Sequence, residues 1–288
     1  MKRMMKNSRG FVLAISVFLI VFFALLFTQE FLQKSQSIEG VFSENLELQK
    51  SSFVVGNVLF EAASLLNTKV RASDEGVLTA IAFSDALPSN VSSQAILDFK
   101  SFAESDFARQ NNCSIFLDVA RISDGKAELV FSNGLQHDFD YSEGDGRIDF
   151  FSASPQVKVS RIDLNIASLD SIVDFNAWQW NPLGNLQVNI YYKDSAVTVK
   201  AAGRLDSSVL NSYYFNYSRG SLRVFAGLVN GKSSALRIEQ DSDVNNATQV
   251  RFTAFIPLQK DLNYYYDSSL KYEQLGSVYG TKLAPLKD

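Results

Sequence analysis

The pattern of apolar and polar residues divides the chain into an apolar run, a helical stretch and a long strand-rich region. Residues 11–28 are almost uniformly apolar, and 18 residues of helix span about 27 Å, close to the hydrocarbon thickness of a bilayer. This run predicts a transmembrane helix. Apolar residues then recur at loosely helical intervals as far as Leu66, which predicts a helical extension or stalk over residues 29–66, either continuous or broken at Gly40 or Gly56.

The next segment mixes chain breakers with short apolar patches. Residues 67–92 predict a connector, and apolar residues at helical spacing after Ser92 or Ser93 predict a helix over about 93–110. The connector and this helix together make up the predicted region 67–112.

From Ser114 onward, apolar residues alternate with polar ones, as they do in half-buried strands. Dipeptides that favour tight turns, such as Asp124-Gly125 and Asn230-Gly231, separate these segments. The spacing predicts a β-rich external domain over residues 113–262, an antiparallel meander or sandwich of about ten to twelve strands. Residues 263–288 have no clear period and predict a C-terminal tail or edge covering. The expected fold class is α+β: a long N-terminal transmembrane helix, then a helix and connector, then an antiparallel β-sandwich-like domain.

Charges on either side of the apolar run indicate its orientation. Lys2, Arg3, Lys6 and Arg9 precede it, whereas acidic residues dominate the segment that follows. The positive-inside rule therefore places the basic leader, residues 1–10, in the cytoplasm and the bulk of the chain outside the cell. We expect a single-pass protein of the cell membrane, with the lipid bilayer as a partner. A cleaved secretory signal is the less favoured alternative, because the run is long and lacks a small-x-small site.

The junction before the apolar run has a recognisable form. A basic leader ending in Arg9-Gly10, then Phe11 and an apolar helix, resembles the class III leader of type IV pilin-like proteins, which is cut after the Gly. The resemblance implies that Gly10 and Phe11 form a processing site, and that pilin-like subunits or pilus assembly machinery are partners. Ile15 stands at the fifth mature position, where pilins commonly have Glu, so a minor subunit is favoured over a major one. A plain signal-anchor is the alternative.

Composition limits the partners further. Without the four basic residues of the leader, 23 of the 27 Lys and Arg residues remain against 31 acidic ones, a net charge of −8. Such a region repels phosphate backbones, and no Lys/Arg cluster in the sequence indicates a local basic face. Nucleic acid is therefore not an expected partner. Cys113 is the single cysteine, so the fold has no intramolecular disulfide to depend on.

Two patterns resemble catalytic or nucleotide-binding motifs. The segment AGLVNGKS at residues 226–233 fits a relaxed phosphate loop, but a strand-like alternation follows it where that loop needs a helix. We therefore predict a hairpin turn, with no nucleotide and no cofactor. His137 is the only histidine, and no nucleophile motif accompanies it. The prediction is that the protein is not an enzyme.

Three weaker patterns point to ligands or modification. Residues 142–152 echo the second half of a calcium loop, but Tyr141 and Ser152 replace its first and last ligands, and a hairpin with solvated acids is the alternative. Trp178 and Trp180 would share one face of a strand, as in a sugar-stacking platform or, alternatively, a sandwich core. Four Asn residues begin glycosylation sequons. The candidate metal ligands are Asp138, Asp140, Glu143, Asp145 and Asp149, and the sequon residues are Asn90, Asn112, Asn216 and Asn246.

Three functions follow from these patterns. The first is a non-enzymatic, membrane-anchored external protein, pilin-like or structural, that assembles through its N-terminal helix. The second is a signal-anchored extracellular binding module for a glycan or a calcium-dependent ligand. The third is an external hydrolase that uses paired carboxylates, since acidic residues are plentiful.

Overall fold

A computed structural model describes residues 25–30, 32, 34, 49–66, 69–87, 92–140, 146–154, 157–176, 178–241, 243–244, 247–274, 277–283 and 286–287. The chain divides into two compact units, Met1–Val54 and Val55–Asp288. In the first unit, residues 25–30, 32 and 34 are helical. The predicted processing site at Gly10 and Phe11 and most of the predicted transmembrane run lie outside the described residues. Among the residues that are described, no helix combines the length and apolarity needed to cross a membrane.

Four α-helices follow in the described part of the chain. Helix α1 covers residues 49–66. Helix α2 covers Ser93–Phe102, and it continues through a π-helical turn, Ala103–Phe107, into α3, Ala108–Gln110. Helix α4 covers Ala120–Ser123. The Ser92 side chain accepts a hydrogen bond from the Ala95 N–H at 3.2 Å and caps α2, which confirms the helix predicted over about 93–110 and its start.

Helix α1 buries one apolar stripe. Val55, Val58, Ala62 and Leu66 are buried, and their spacing of three and four residues places them on one side of the helix. The end of this stripe packs on α2, α4 and a strand: Leu66, Ile96, Leu117, Ile122 and Leu283 line one small cavity. The predicted helical extension therefore ends in a helix that packs on the β-rich domain.

Eighteen strands lie within the described residues, more than the ten to twelve expected. Residues 67–92 were expected to form a connector, but they contain the hairpin β1–β2, and the expected C-terminal tail contains β15 to β18. The strands are β1 Lys69–Glu75, β2 Leu78–Leu87, β3 Ser114–Asp118, β4 Lys126–Phe131, β5 Leu135–Asp140, β6 Gly146–Ser152, β7 Arg161–Ala167, β8 Ile172–Asn176, β9 Leu186–Lys193, β10 Thr198–Leu205, β11 Leu210–Tyr217, β12 Ser221–Val229, β13 Lys232–Gln240, β14 Thr248–Pro257, β15 Tyr264–Tyr266, β16 Ser269–Gln274, β17 Ser277–Lys282 and β18 Leu286–Lys287.

The strands form three sheets. The first sheet has the order β10-β9-β7-β14-β2-β1-β18, the second β15-β4-β5-β6-β13-β12-β11-β8, and the third β17-β16-β3. Strand pairs β7–β9 and β1–β18 are parallel. The first pair lies within residues 113–262, so the antiparallel arrangement predicted for that domain is wrong at this pair. The sequence did not predict β2 as a strand, because β2 lies inside the first sheet. Its alanines alternate with larger residues, so it has few of the polar residues that usually mark one face of a strand.

The first and second sheets pack face to face around an aromatic core, which confirms a sandwich-like arrangement. Phe83 of β2 stacks on Phe252 of β14 with ring centroids 4.6 Å apart. Its ring also lies 5.3 Å from Phe150 and 5.9 Å from Phe131, both from the second sheet. These contacts join the two sheets, since edge-to-face and offset aromatic pairs stabilise a core beyond their buried area.

Candidate functional site

The only histidine lies in the core of the sandwich. His137 of β5 is fully buried, and its Nε2 lies 3.2 Å from Oδ2 of Asp85 on β2. Its Nδ1 lies 3.2 Å from the backbone oxygen of Asp149. Because both ring nitrogens face acceptors, a proton must lie between Nε2 and Asp85, on one group or the other. The pair is a polar link between the first and second sheets, enclosed by aromatic rings such as Phe83 at 4.4 Å.

Two of the five acidic residues predicted as calcium ligands, Asp140 and Asp149, are paired with arginines. Asp149 accepts from Arg237 at 2.5 and 3.0 Å and lies 3.2 Å from Arg147. Asp140 accepts from Arg147 at 3.2 Å. The described residues contain no group of three or more His, Cys, Asp or Glu side chains placed to hold a metal ion. Glu143 and Asp145 lie outside the described residues.

Asp138 has different surroundings from those of its neighbours. It lies opposite Glu128 of β4 and Asp149 of β6 on the outer face of the second sheet. Among the described residues, no donor is within hydrogen-bonding distance of its buried Oδ1. Burial, and then the negative charge of Glu128, raise the pKa of Asp138 to about 6.

The two tryptophans form no sugar-stacking platform. Trp178 is buried, and its ring stands edge-on to Tyr213 at 5.5 Å and to Trp180 at 5.7 Å. Trp180 lies over Gly203 so closely that a Cβ there would come within 2.4 Å of its ring. Because the two indoles are nearly perpendicular, at 89°, they cannot offer one flat surface to a sugar. Trp178 therefore lies in the core, which was the alternative to the sugar-stacking platform.

The remaining predicted positions lie on turns and edges. Asn230 and Gly231 have positive φ values of 49° and 75° and form the tight turn between β12 and β13, which confirms the predicted hairpin. Asn112 has a φ of 52° just beyond α3. The Nδ2 of Asn216 donates to Asp174 at 2.6 Å. The other two sequon residues, Asn90 and Asn246, lie outside the described residues.

A row of polar and basic side chains crosses the outer face of the first sheet. The strand register places six residues side by side on adjacent strands, and each has at least one buried neighbour in sequence. Three of them are cationic and none is acidic. We call this set the cationic row; from β1 across to β10 it consists of Lys69, Ser84, Arg251, Asn165, Tyr191 and Lys200.

Two adjoining depressions follow the cationic row. The first has a volume of 520 Å³ and runs along β2, where Ala82, Ser84 and Ala86 contribute short side chains. The second has a volume of 470 Å³. Asn165 lines both. We call the two together the basic groove, since Arg251 lines the first depression and Lys200 the second.

Charges near the basic groove leave two of its cations available. In the part of the chain that the structure describes, no acidic side chain forms an ion pair with Arg251 or Lys200. Among the described residues, two acids line the groove, Asp85 in the first depression and Asp163 in the second. Asp85 faces His137, and Asp163 pairs with Arg161 and accepts from Asn189 at 2.6 Å. Lys200 Nζ instead lies 5.4 Å from the centre of the Tyr191 ring, within cation–π range.

The cationic row is a local basic face that no Lys/Arg cluster in the sequence indicated. The sequence contains no Lys/Arg cluster because the cations of the row come from strands far apart in the chain, and only the register joins them. Local alternation does indicate that each of these residues points outward from its strand. No protein-family model, curated protein sequence or solved structure matches the chain.

Proposed function

We propose that the chain is a non-enzymatic, membrane-anchored external protein with a pilin-like N-terminus, which assembles through its N-terminal helix. The observation that carries this proposal is the leader ending in Arg9-Gly10, followed by Phe11 and the apolar run to residue 28. In this proposal residues 1–10 are cytoplasmic, the run anchors the protein in the bilayer, and the β-rich domain is displayed outside.

The surface of α1 supports assembly through a helix. One side of the helix is buried, as described above, whereas Phe53 and Phe60 are 69% and 60% exposed. Large apolar rings left exposed on a helix favour contact with another apolar surface, such as the helix of a neighbouring subunit.

The mature N-terminus of the membrane-extracted protein tests the proposal. Mass spectrometry of the terminal peptide should find Phe11 as the first residue. Gly10→Val should leave the leader attached, whereas the matched change Ser8→Val, two residues away, should not. A start at Met1 in the unaltered protein would leave a plain anchor, and a start beyond Ser37 would show that the apolar run is a removed signal.

A second candidate function is an anchored extracellular binding module. The basic groove favours it, since a groove with unpaired cations is suited to an anionic ligand. The described residues give no support to the predicted calcium site or tryptophan platform, so the basic groove is the candidate binding site. A carboxylate hydrolase stays a prediction.

A further inference from the structure

We infer that the basic groove binds a linear acidic polysaccharide. The inference deepens the second candidate function and rests on the external location proposed above. It does not depend on cleavage after Gly10, so the two can be tested separately.

The first support is that Arg251 and Lys200 have no acidic partner among the described residues, unlike arginines such as Arg161 of the first sheet, which pairs with Asp163. On the second sheet Arg237 is largely buried and holds Asp149 through two hydrogen bonds. On the first sheet Arg251 is exposed and has no acidic partner among the described residues. Arg237 and Arg161 thus neutralise acids of their own domain, whereas Arg251 and Lys200 are available to an anion from outside.

The length of the cationic row favours a polymer over a small anion. Six adjacent strands at a spacing of about 4.8 Å extend over about 24 Å. Arg251 lies two strands from Lys69 and three from Lys200, or about 10 and 14 Å away. A single carboxylate or phosphate cannot contact both Arg251 and Lys200, so the matching ligand carries negative charges at intervals along a chain.

Neutral groups between the cations favour a sugar polymer. The Ser84 hydroxyl, the Asn165 amide and the Tyr191 hydroxyl are exposed or half-buried in the row, and Gln249 lines the first depression. These groups both donate and accept hydrogen bonds, as the hydroxyls of sugars do. Single-stranded nucleic acid is less suited, because its binding surfaces stack bases on successive aromatic rings, and the row has one ring, which already lies close to Lys200. An extended peptide typically adds to a sheet edge, not to a face.

Binding of polygalacturonate to the detergent-solubilised full chain tests the inference. Because divalent cations crosslink this polymer, the measurement is made with a chelator, by calorimetry or fluorescence anisotropy. Polygalacturonate should bind, and the affinity should fall as salt is added, because the contacts are exposed ion pairs. Its methyl-esterified form has the same backbone without the charges and should not bind. Equal binding of both forms, or no binding of either, would overturn the inference.

Matched variants assign the binding to the groove. Arg251→Gln with Lys200→Gln should weaken binding about tenfold, since each exposed ionic contact contributes up to about fivefold. Arg219→Gln with Lys260→Gln removes the same charge from two other exposed positions and should change the affinity by less than about twofold. An equal loss of affinity in the two double variants would show that the polymer is attracted non-specifically by the charge of the protein. Tighter binding of a single-stranded DNA of equal charge would identify a different class of ligand and overturn the choice of polysaccharide.

The two proposals fail in different ways. A mature start at Phe11 without polygalacturonate binding would refute the inference about the groove and support the pilin-like anchor. Binding of polygalacturonate together with a start at Met1 would refute pilin-like processing and support an anchored binding module.

Discussion

Replacing Asp138 with Asn should stabilise the protein at neutral pH. In the fold this carboxyl faces Glu128 and Asp149, and its pKa rises from an ordinary value of 3.8 to about 6. A shift of that size corresponds to about 3 kcal/mol at 1.36 kcal/mol per unit. Because Asp138 is half-buried, solvent screens much of this energy. We expect a gain of about 1 kcal/mol in the free energy of unfolding at pH 7.5.

The pH dependence gives the sign of this effect. The folded protein holds the Asp138 proton more tightly than the unfolded chain does. Its protonated form therefore contributes stability that is complete below about pH 3.8 and is lost as the pH rises through about 6. Asn resembles the protonated acid at every pH. The advantage of Asp138→Asn should thus be full above pH 6 and vanish near pH 3.8.

Thermal unfolding of the full chain in detergent at pH 7.5 and pH 4 measures this advantage. A gain of about 1 kcal/mol corresponds to a rise of about 2–4 °C in the melting temperature. Asp140→Asn is the matched control, because Asp140 lies on the same face of β5 but is paired with Arg147. The control should be neutral or destabilising by up to about 1 kcal/mol. A lower melting temperature for Asp138→Asn at pH 7.5, or an equal gain at both pH values, would refute the reasoning.

Three further changes test the core and the turns, all by urea unfolding of the full chain. Phe83→Ala should lower the free energy of unfolding by about 3–5 kcal/mol, because it leaves a cavity between the two sheets. A loss under about 1 kcal/mol would show that the packing of the sheets does not depend on this ring. Asp85→Ala leaves a buried ring nitrogen of His137 without its partner and should cost about 1–3 kcal/mol, with much of that loss removed when His137 is changed to Leu as well. Additive effects would contradict the pairing. Gly227→Ala should be more harmful than Gly231→Ala, because both have positive φ but only the first Cβ would meet the Val209 backbone oxygen, at 2.3 Å; equal losses would mean that backbone strain alone decides.

Local features of the fold were predictable from the sequence, and distant pairings were not. Ser92 and the Asn230-Gly231 dipeptide act within a few residues, so their roles as helix cap and hairpin turn follow from short-range chemistry. Strand β2 was missed because its strand character depends on β14, which pairs with it along its whole length from a distant part of the chain. A single sequence contains no direct record of such pairings.

The candidate site shows the same division. Alternation predicts that Arg251 and Lys200 point outward from their strands, but it does not indicate that the two belong to one row. That information lies in the order β10-β9-β7-β14 and in the parallel pairing of β7 with β9. The prediction of a tryptophan platform was wrong for a related reason. It assumed that Trp178 and Trp180 share one face of a strand, but both residues lie outside any strand.

The position of β14 also affects how the domain is made. Without this strand the first sheet separates into two parts, β10-β9-β7 and β2-β1-β18, and β15 and β16 then add to the second and third sheets. All three sheets thus stay incomplete until the segment from Thr248 onward has been synthesised. The nascent domain therefore has unpaired strand edges for most of its synthesis. Because long-range strand pairing is slow and unpaired edges aggregate, the domain should depend on chaperones that bind it during that interval.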